Sequence, residues 1–447
     1  MGIPNFLTCV RNWAPLSAIL AILFVLFANG SSPQSKPTAK PLGIERIVFF
    51  PRAPLDANNA GEATAAGNIW IVNEDGTGLS PLTRMTTHNA DCISPAWSPR
   101  GTEIAFASGR ALDGTDAASA EDTKTIWVMK PDGSQVRPLI KLDNASEPAW
   151  SPDGARIAFD GWAALDGSPV SNPASNIWTM SSNGSRGKPL TKLTAEFANS
   201  YLPIWSPDGN QIAFVSSRAL DGSDAANLAP GHSTHNVITL SGGATSNIWI
   251  VNSDGAGARP LTRLTAYGAD SFGMRWSPDG KKIAFASRRA LDGSDTANTK
   301  DSANIWVVNS DGSGARPLTK LQFASSLNLA WSRDGSKIVF VSDRALDGSD
   351  ASNRQKSAQN IWVMNSDGSG AMPLTQLILA VGMTQNPVWS PTGTRIAFSS
   401  MRALDGSDDA GTNRNIWVIN ADGTGAKPLT RFTGAGAFSV APAWSPR

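Results

Sequence analysis

The sequence predicts an all-β fold, a closed β-propeller of seven four-stranded blades. Three observations predict it. Seven tryptophans stand in a W-S-P or W-S-R context: Trp97, Trp150, Trp205, Trp276, Trp331, Trp389 and Trp444. Seven more follow an isoleucine: Trp70, Trp127, Trp178, Trp249, Trp306, Trp362 and Trp417. Outside the apolar segment 14–28 no stretch sustains a helical period, and Asp-Gly turns recur between short β-branched and aromatic runs. The first tryptophan series repeats every 53 to 58 residues, except for a step of 71 between Trp205 and Trp276. That step carries an insertion, residues 227–246.

One unit shows the logic of each strand. Met274-Arg275-Trp276 reads as a short first strand, and Ser277-Pro278-Asp279-Gly280 as a tight turn. Proline presets the second turn position, and glycine tolerates positive φ. Residues 282–287 read as a second strand, 288–303 as a long loop, and 304–308 as a third strand. Asn309-Ser310-Asp311-Gly312 turns again, and 316–321 reads as a fourth strand. One such sheet cannot bury both faces, but radial stacking buries each sheet against the next. Each buried tryptophan then removes roughly 150–250 Å² from water. Core packing therefore explains the tryptophans without any ligand.

The repeat is cut at both ends. Residues 46–50 read as a second strand with no first strand before it, and 441–447 as a first strand with nothing after it. Pairing the two completes a seventh blade and removes the open sheet edges.

Arg11 precedes the apolar segment 14–28, which is short for a membrane span of about 20 residues. It suits a signal peptide over residues 1–30, cut after Gly30, with an uncleaved anchor as the alternative. Residues 31–45 are a Pro/Lys/Ser linker and 46–447 the propeller. The expected compartment is periplasmic or secreted, with no membrane span once the signal is removed and a monomer by default. The net charge of +1 gives no footprint for nucleic acid. Cys9 and Cys92 build neither a disulfide framework nor a zinc site.

The loop between second and third strands repeats R-A-L-D-G-S-D-A. Its acidic pairs are Asp113/Asp116, Asp221/Asp224, Asp292/Asp295, Asp347/Asp350 and Asp405/Asp408. Asp56 and Asp166 stand in degenerate copies. Arg52, Arg110, Arg218, Arg289, Arg344 and Arg402 precede the copies, and Ala163 replaces the arginine in one. Up-down connectivity puts these loops on one face, with the interblade connections, and the short turns on the other. Three readings stand. The first is structural: Asp-Gly closes a turn, the second Asp caps backbone donors, and Arg forms a salt bridge within its own blade. The second is calcium held by the oxygen-rich loops, although D-x-x-D lacks the alternation of an EF-hand. The third is an acidic rim that recognises a partner.

The motif P-x-W-S-P-D-G-x-x-I-A-F, as at 148–159 and 203–214, and N-I-W-V-M-N-x-D-G, as at 360–368, resemble the repeats of TolB-like propellers. That family is related to WD-repeat propellers and to the propeller domains of prolyl-oligopeptidase-type enzymes. The resemblance covers 46–447 and implies a bacterial envelope protein that binds a protein partner, as the namesake binds a peptidoglycan-associated lipoprotein. The namesake has an α/β domain before a six-bladed ring, whereas here a linker precedes seven units.

Catalytic signatures are sparse. His88, His232 and His235 are the only histidines, and His232-x-x-His235 lacks an indicated third metal ligand. There is no G-x-S-x-G elbow and no H-E-x-x-H helix. The leading expectation is a binding or scaffolding propeller with an envelope protein or lipoprotein as partner, no catalytic residue and no required cofactor. The alternative is a propeller hydrolase or lyase acting on polysaccharide or peptide, with glycan as ligand. The enzyme reading requires one blade to supply unique carboxylates or histidines near the axis, and the blade carrying 227–246 is the expected source.

Overall fold

The computed structural model describes residues 44–52, 66–87, 90–113, 115, 117–119, 124–140, 142, 144–165, 174–228, 244–298, 302–350, 358–377, 384–407, 410–434 and 437–447. The apolar segment 14–28, most of the linker, and Asp56, His88, Asp116, Asp166, His232, His235 and Asp408 lie outside them. No helix among the described residues is long and apolar enough to cross a membrane.

The described residues form an all-β chain of four-stranded antiparallel sheets. In the unit read above, the strands are Ser271–Trp276, Lys282–Ser287, Asn304–Asn309 and Arg316–Pro317. The two middle strands are buried on both faces because each sheet lies between two others, which is why I-A-F and I-W-V runs replace polar/apolar alternation. Phe285 pairs with Trp306 across them, and both side chains are buried.

Five sheets have four strands and one has eight. The larger one joins two sets. One is Thr384–Trp389, Arg395–Arg402, Ala410–Asn420 and Lys427–Pro428. The other is Phe438–Trp444, Arg46–Arg52, Trp70–Asn73 and Ser80–Pro81. They meet through a single parallel bridge, Arg414 to Phe438. In the second set the last strand pairs with the first of the chain, Ile47 opposite Trp444, and the Ser445 N–H donates to the Arg46 carbonyl at 2.7 Å.

Each first strand also contacts the first strand of the next unit. The indole Nε1 groups of Trp97, Trp150, Trp205, Trp331, Trp389 and Trp444 donate to the carbonyls of Ala443, Ala96, Ala149, Arg275, Ala330 and Val388, at 3.0–3.2 Å. Each bond crosses from one unit to its neighbour. The W-S-P tryptophans therefore serve as hydrogen-bonded links between sheets as well as packing groups.

Two strand expectations are corrected. The first strand is longer than its W-S-P end, and its register shifts between Phe272 and Arg275. The shift is a bulge whose extra residue takes positive φ, here Gly273 at 61°. The residue three before every W-S-P tryptophan does the same: Ser94, Glu147, Leu202, Asn328, Asn386 and Ala441 have φ of 51–59°. The fourth strand is shorter than expected, because only Arg316–Pro317 remains in the ladder. Beyond it the Asn304 side chain replaces the neighbouring backbone. Its Oδ1 accepts from Thr319 Oγ1 and the Leu321 N–H, and its Nδ2 donates to the Leu321 carbonyl. Asn176, Asn247, Asn360 and Asn415 hold their own units the same way.

Candidate functional site

The acidic loops fold back on themselves. Isolated bridges join Arg218 to Ala226 and Arg289 to Ala297, making a small hairpin at the end of the second strand. The first aspartate of each described copy caps its own turn. Asp113, Asp221, Asp292, Asp347 and Asp405 accept the backbone N–H two residues on, at 2.8–2.9 Å. These five residues are exposed, and hydrogen bonds from the serine two residues on hold Asp221, Asp292 and Asp347 below the usual carboxylate range.

The second aspartate reaches the neighbouring unit. Asp295 Oδ1 accepts the Thr265 and Ala266 N–H groups at 2.8 and 3.1 Å, and Oδ2 accepts Thr265 Oγ1. Asp224 does the same with Thr194 and Ala195, and Asp350 with the N–H groups of Gln322 and Phe323. Partial burial pulls the Asp224 and Asp295 carboxyls upward, but these bonds outweigh it and hold both below the ordinary value. Each such aspartate staples its loop to the interblade connection preceding its own unit.

The expected arginine–aspartate salt bridge is corrected for Arg218, Arg289 and Arg344. Their guanidinium groups stack over Trp249, Trp306 and Trp362 at 4.8–5.0 Å. Each donates from Nη2 to a glycine carbonyl of its own loop, Gly222, Gly293 or Gly348. The hairpin turns that carbonyl toward the cation and leaves the carboxylates for backbone donors. Arg52 does form an ion pair, with Asp91 at 3.0 Å.

Asp295→Ala should cost about 1 kcal/mol of global stability, the lower end for lost hydrogen bonds because water can reach the freed donors. The larger effect is local. Amide exchange at 265–267 should accelerate, while Asp295→Asn retains one acceptor and part of the protection. Unchanged exchange in Asp295→Ala would remove the staple.

A second cluster lies on the innermost strands. Glu147, at one of the positive-φ bulges, is 7% exposed. Its Oε1 accepts from Ser94 Oγ at 3.0 Å, and its Oε2 has no hydrogen-bond partner in the protein. Asp160, on the adjacent second strand, accepts from Ser146 Oγ at 3.1 Å through Oδ2, and its Oδ1 has no partner. Burial pushes Glu147 up to about 8, helped by the Asp160 charge and opposed by Ser94 and Arg275. Burial likewise pushes Asp160 up to about 7. Asn386, at another bulge and 3% exposed, has no partner for either side-chain polar atom. A buried polar atom without a protein partner costs stability and calls for a specific explanation. Among the described residues no group of three metal-ligating side chains is assembled.

The buried carboxyls come from the unit containing Ala145–Trp150 and Arg156–Gly161, while residues 229–243 of the insertion, with His232 and His235, lie outside the described residues. Sequence reasoning missed these carboxyls, yet a signal existed. Asp160 stands where other units have Ala107, Val215, Ala286, Val341 and Ser399, each paired with the same position of its first strand. A lone acid in a column of uncharged residues is visible in the amino-acid sequence alone.

No family model matches the chain. It is 26% identical over 240 residues to an uncharacterized peptidase, YuxL, of Bacillus subtilis, covering 48% of this chain and 31% of that protein. It is 30% identical over 163 residues to the Tol-Pal system protein TolB of Anaeromyxobacter dehalogenans, covering 36% of this chain and 32% of that protein. The chain therefore spans less than a third of the length of these relatives. Among solved structures, an oligogalacturonate lyase in complex with manganese superposes with a TM-score of 0.52 at 13% identity, over 83% of this chain and 90% of that one.

Proposed function

We propose that this TolB-like β-propeller is an exported binding and scaffolding protein of the cell envelope, periplasmic or secreted, whose partner is another envelope protein. The ring is read as seven four-stranded blades, closed where Phe438–Trp444 lies beside Arg46–Arg52. The observation that carries the reading is the long-loop face. Leu112, Leu228, Tyr267 and Phe323 are exposed there, four of the six large apolar side chains exposed among the described residues. Tyr267 and Phe323 sit on the connections stapled by Asp295 and Asp350. Aromatic groups on a rigid scaffold, ringed by Asp113, Asp221, Asp292, Asp347 and Asp405, suit a protein surface with apolar and basic groups.

The full chain, immobilised, should capture such a partner from an envelope extract, and Tyr267→Ser with Phe323→Ser should reduce capture at least tenfold. Equal capture by the double variant would remove the loop face as the binding surface. A parallel arm with a chelator reads whether calcium at the aspartate loops is required.

One observation favours the enzyme reading as the second choice. Glu147 and Asp160 are two adjacent carboxyls in a buried setting, and both ionise near neutrality, as an acid–base pair requires. Turnover of a polysaccharide or peptide that is lost in Glu147→Gln, with capture unchanged, would promote it.

A further inference from the structure

On the opposite face, the short W-S-P turns surround a cavity of about 180 Å³. All seven W-S-P tryptophans contribute to its wall, together with six prolines of the same turns. The wall is therefore largely apolar and aromatic. Its charged groups are Arg275, Arg333 and Arg447, and no aspartate or glutamate lines it. Arg275 replaces the alanine, valine or isoleucine that precedes the tryptophan in the other units, and Arg333 replaces the proline that follows it. Both substitutions in the repeat bring a cation to the same cavity.

The polar inventory is one-sided. Arg275 is buried and donates from Nη1 to the Met274 carbonyl at 2.8 Å. Arg333 is exposed and donates from Nη1 to the Pro391 carbonyl at 2.8 Å. Arg447 pairs with Glu45, and Arg275 feels the charge of Glu147, which does not line the cavity. Trp276 also lines the cavity and is 9% exposed, but its Nε1 is itself buried, so this indole contributes apolar wall rather than a donor. The nearby turn carboxylates Asp279 and Asp334 accept from their own turn serines and backbone.

We propose that this turn-face cavity is a binding site for a small organic carboxylate, held by Arg275 and Arg333 against the tryptophan and proline wall. A wall that holds cations and no acid suits an anion, and guanidinium groups bind carboxylates through paired N–H groups. The aromatic wall favours an acid with a flat apolar body over a fully hydrated one. Burial pulls the Arg275 guanidinium down to about 9, and a bound anion would reverse that loss. The site is on the face away from the aspartate loops and is independent of the partner proposed there.

The test uses the full chain, titrated with benzoate, its neutral isostere benzamide, and inorganic phosphate. Calorimetry gives affinity, and intrinsic fluorescence gives location, because the wall is made of tryptophans. Benzoate should bind saturably with a change in tryptophan emission, at least roughly tenfold tighter than benzamide, as one charge-assisted bond provides. Arg333→Ala, at an exposed position, should weaken benzoate roughly tenfold and leave benzamide unchanged. Arg275→Met should weaken it further, and if that variant fails to fold, Arg333→Ala carries the test alone. Equal affinity for benzoate and benzamide, no saturable benzoate binding, or binding of phosphate only would each overturn the proposal.

Discussion

Removing residues 438–447 should abolish cooperative thermal unfolding. The deletion takes away the strand Phe438–Trp444, which pairs with Arg46–Arg52 along its length. Arg46–Arg52 would become an open edge with buried apolar side chains on both faces. Two interunit links go as well, because Trp444 Nε1 donates to the Val388 carbonyl and the Ala443 carbonyl accepts from Trp97. Burial of Trp444 alone corresponds to roughly 150–250 Å², or several kcal/mol at about 25 cal/mol per Å². Net stabilities of domains are only about 5–15 kcal/mol. A milder variant, Trp444→Ala, should cost about 3–5 kcal/mol and keep a single transition at lower temperature. Calorimetry on the two together is decisive. An unchanged melt in the deletion would mean that the terminal strands do not hold the sheets together.

The repeat makes most of the fold readable, for a physical reason. Tryptophan in W-S-P and I-W positions, and glycine at positive φ in the turns, are choices few other residues can replace. The second strand Lys282–Ser287 is legible to the residue because the turn 277–280 sets its start and the repeated R-A-L-D-G loop sets its end. The fourth strand reads too long because its last residues are bound by a side chain. Asn304 substitutes for a ladder, and no strand-like pattern betrays that. The bulge before each W-S-P tryptophan is also invisible in the sequence. Its positive-φ residue is glycine only at Gly273, whereas Glu147 and Leu202 give no left-handed signal. Each non-glycine there costs about 1–2 kcal/mol, which the surrounding strands offset.

The site is less legible than the fold. Repetition draws attention to the aspartate loops, but repetition is what a structural device produces in every blade. Asp295 and Asp350 clamp neighbouring connections. Chemistry that serves one molecule sits where the repeats disagree. Asp160, Arg275 and Arg333 depart from the residues usual in their columns, and comparing columns across units finds these three, whereas Glu147 stands in a column that varies from unit to unit.

The carboxyl pair leads to the second large effect, a stability that falls as pH rises. Glu147 and Asp160 have folded values near 8 and 7, well above their ordinary 4.5 and 3.8. Between those limits the folded chain binds more protons than the unfolded chain, so unfolding free energy declines with pH. The contribution is complete below about pH 4 and is lost as pH rises through 7 and 8. The slope approaches about 1.4 kcal/mol per pH unit for each group. The loop aspartates act in the opposite sense, since hydrogen bonds hold Asp224 and Asp295 low and their contribution fades only in acid. The melting temperature should therefore peak near pH 5 and decline steadily to pH 8.5. Glu147→Gln keeps an acceptor for Ser94 and removes one ionisation, so it should match the parent at pH 5 and exceed it at pH 8.5. Parallel curves for parent and variant would mean that Glu147 ionises at no cost to the fold. The same ionisation would strengthen the negative charge acting on Arg275, with which Glu147 already interacts. Benzoate affinity at the turn-face cavity should then weaken between pH 6 and 8.5 in the parent and hold level in Glu147→Gln.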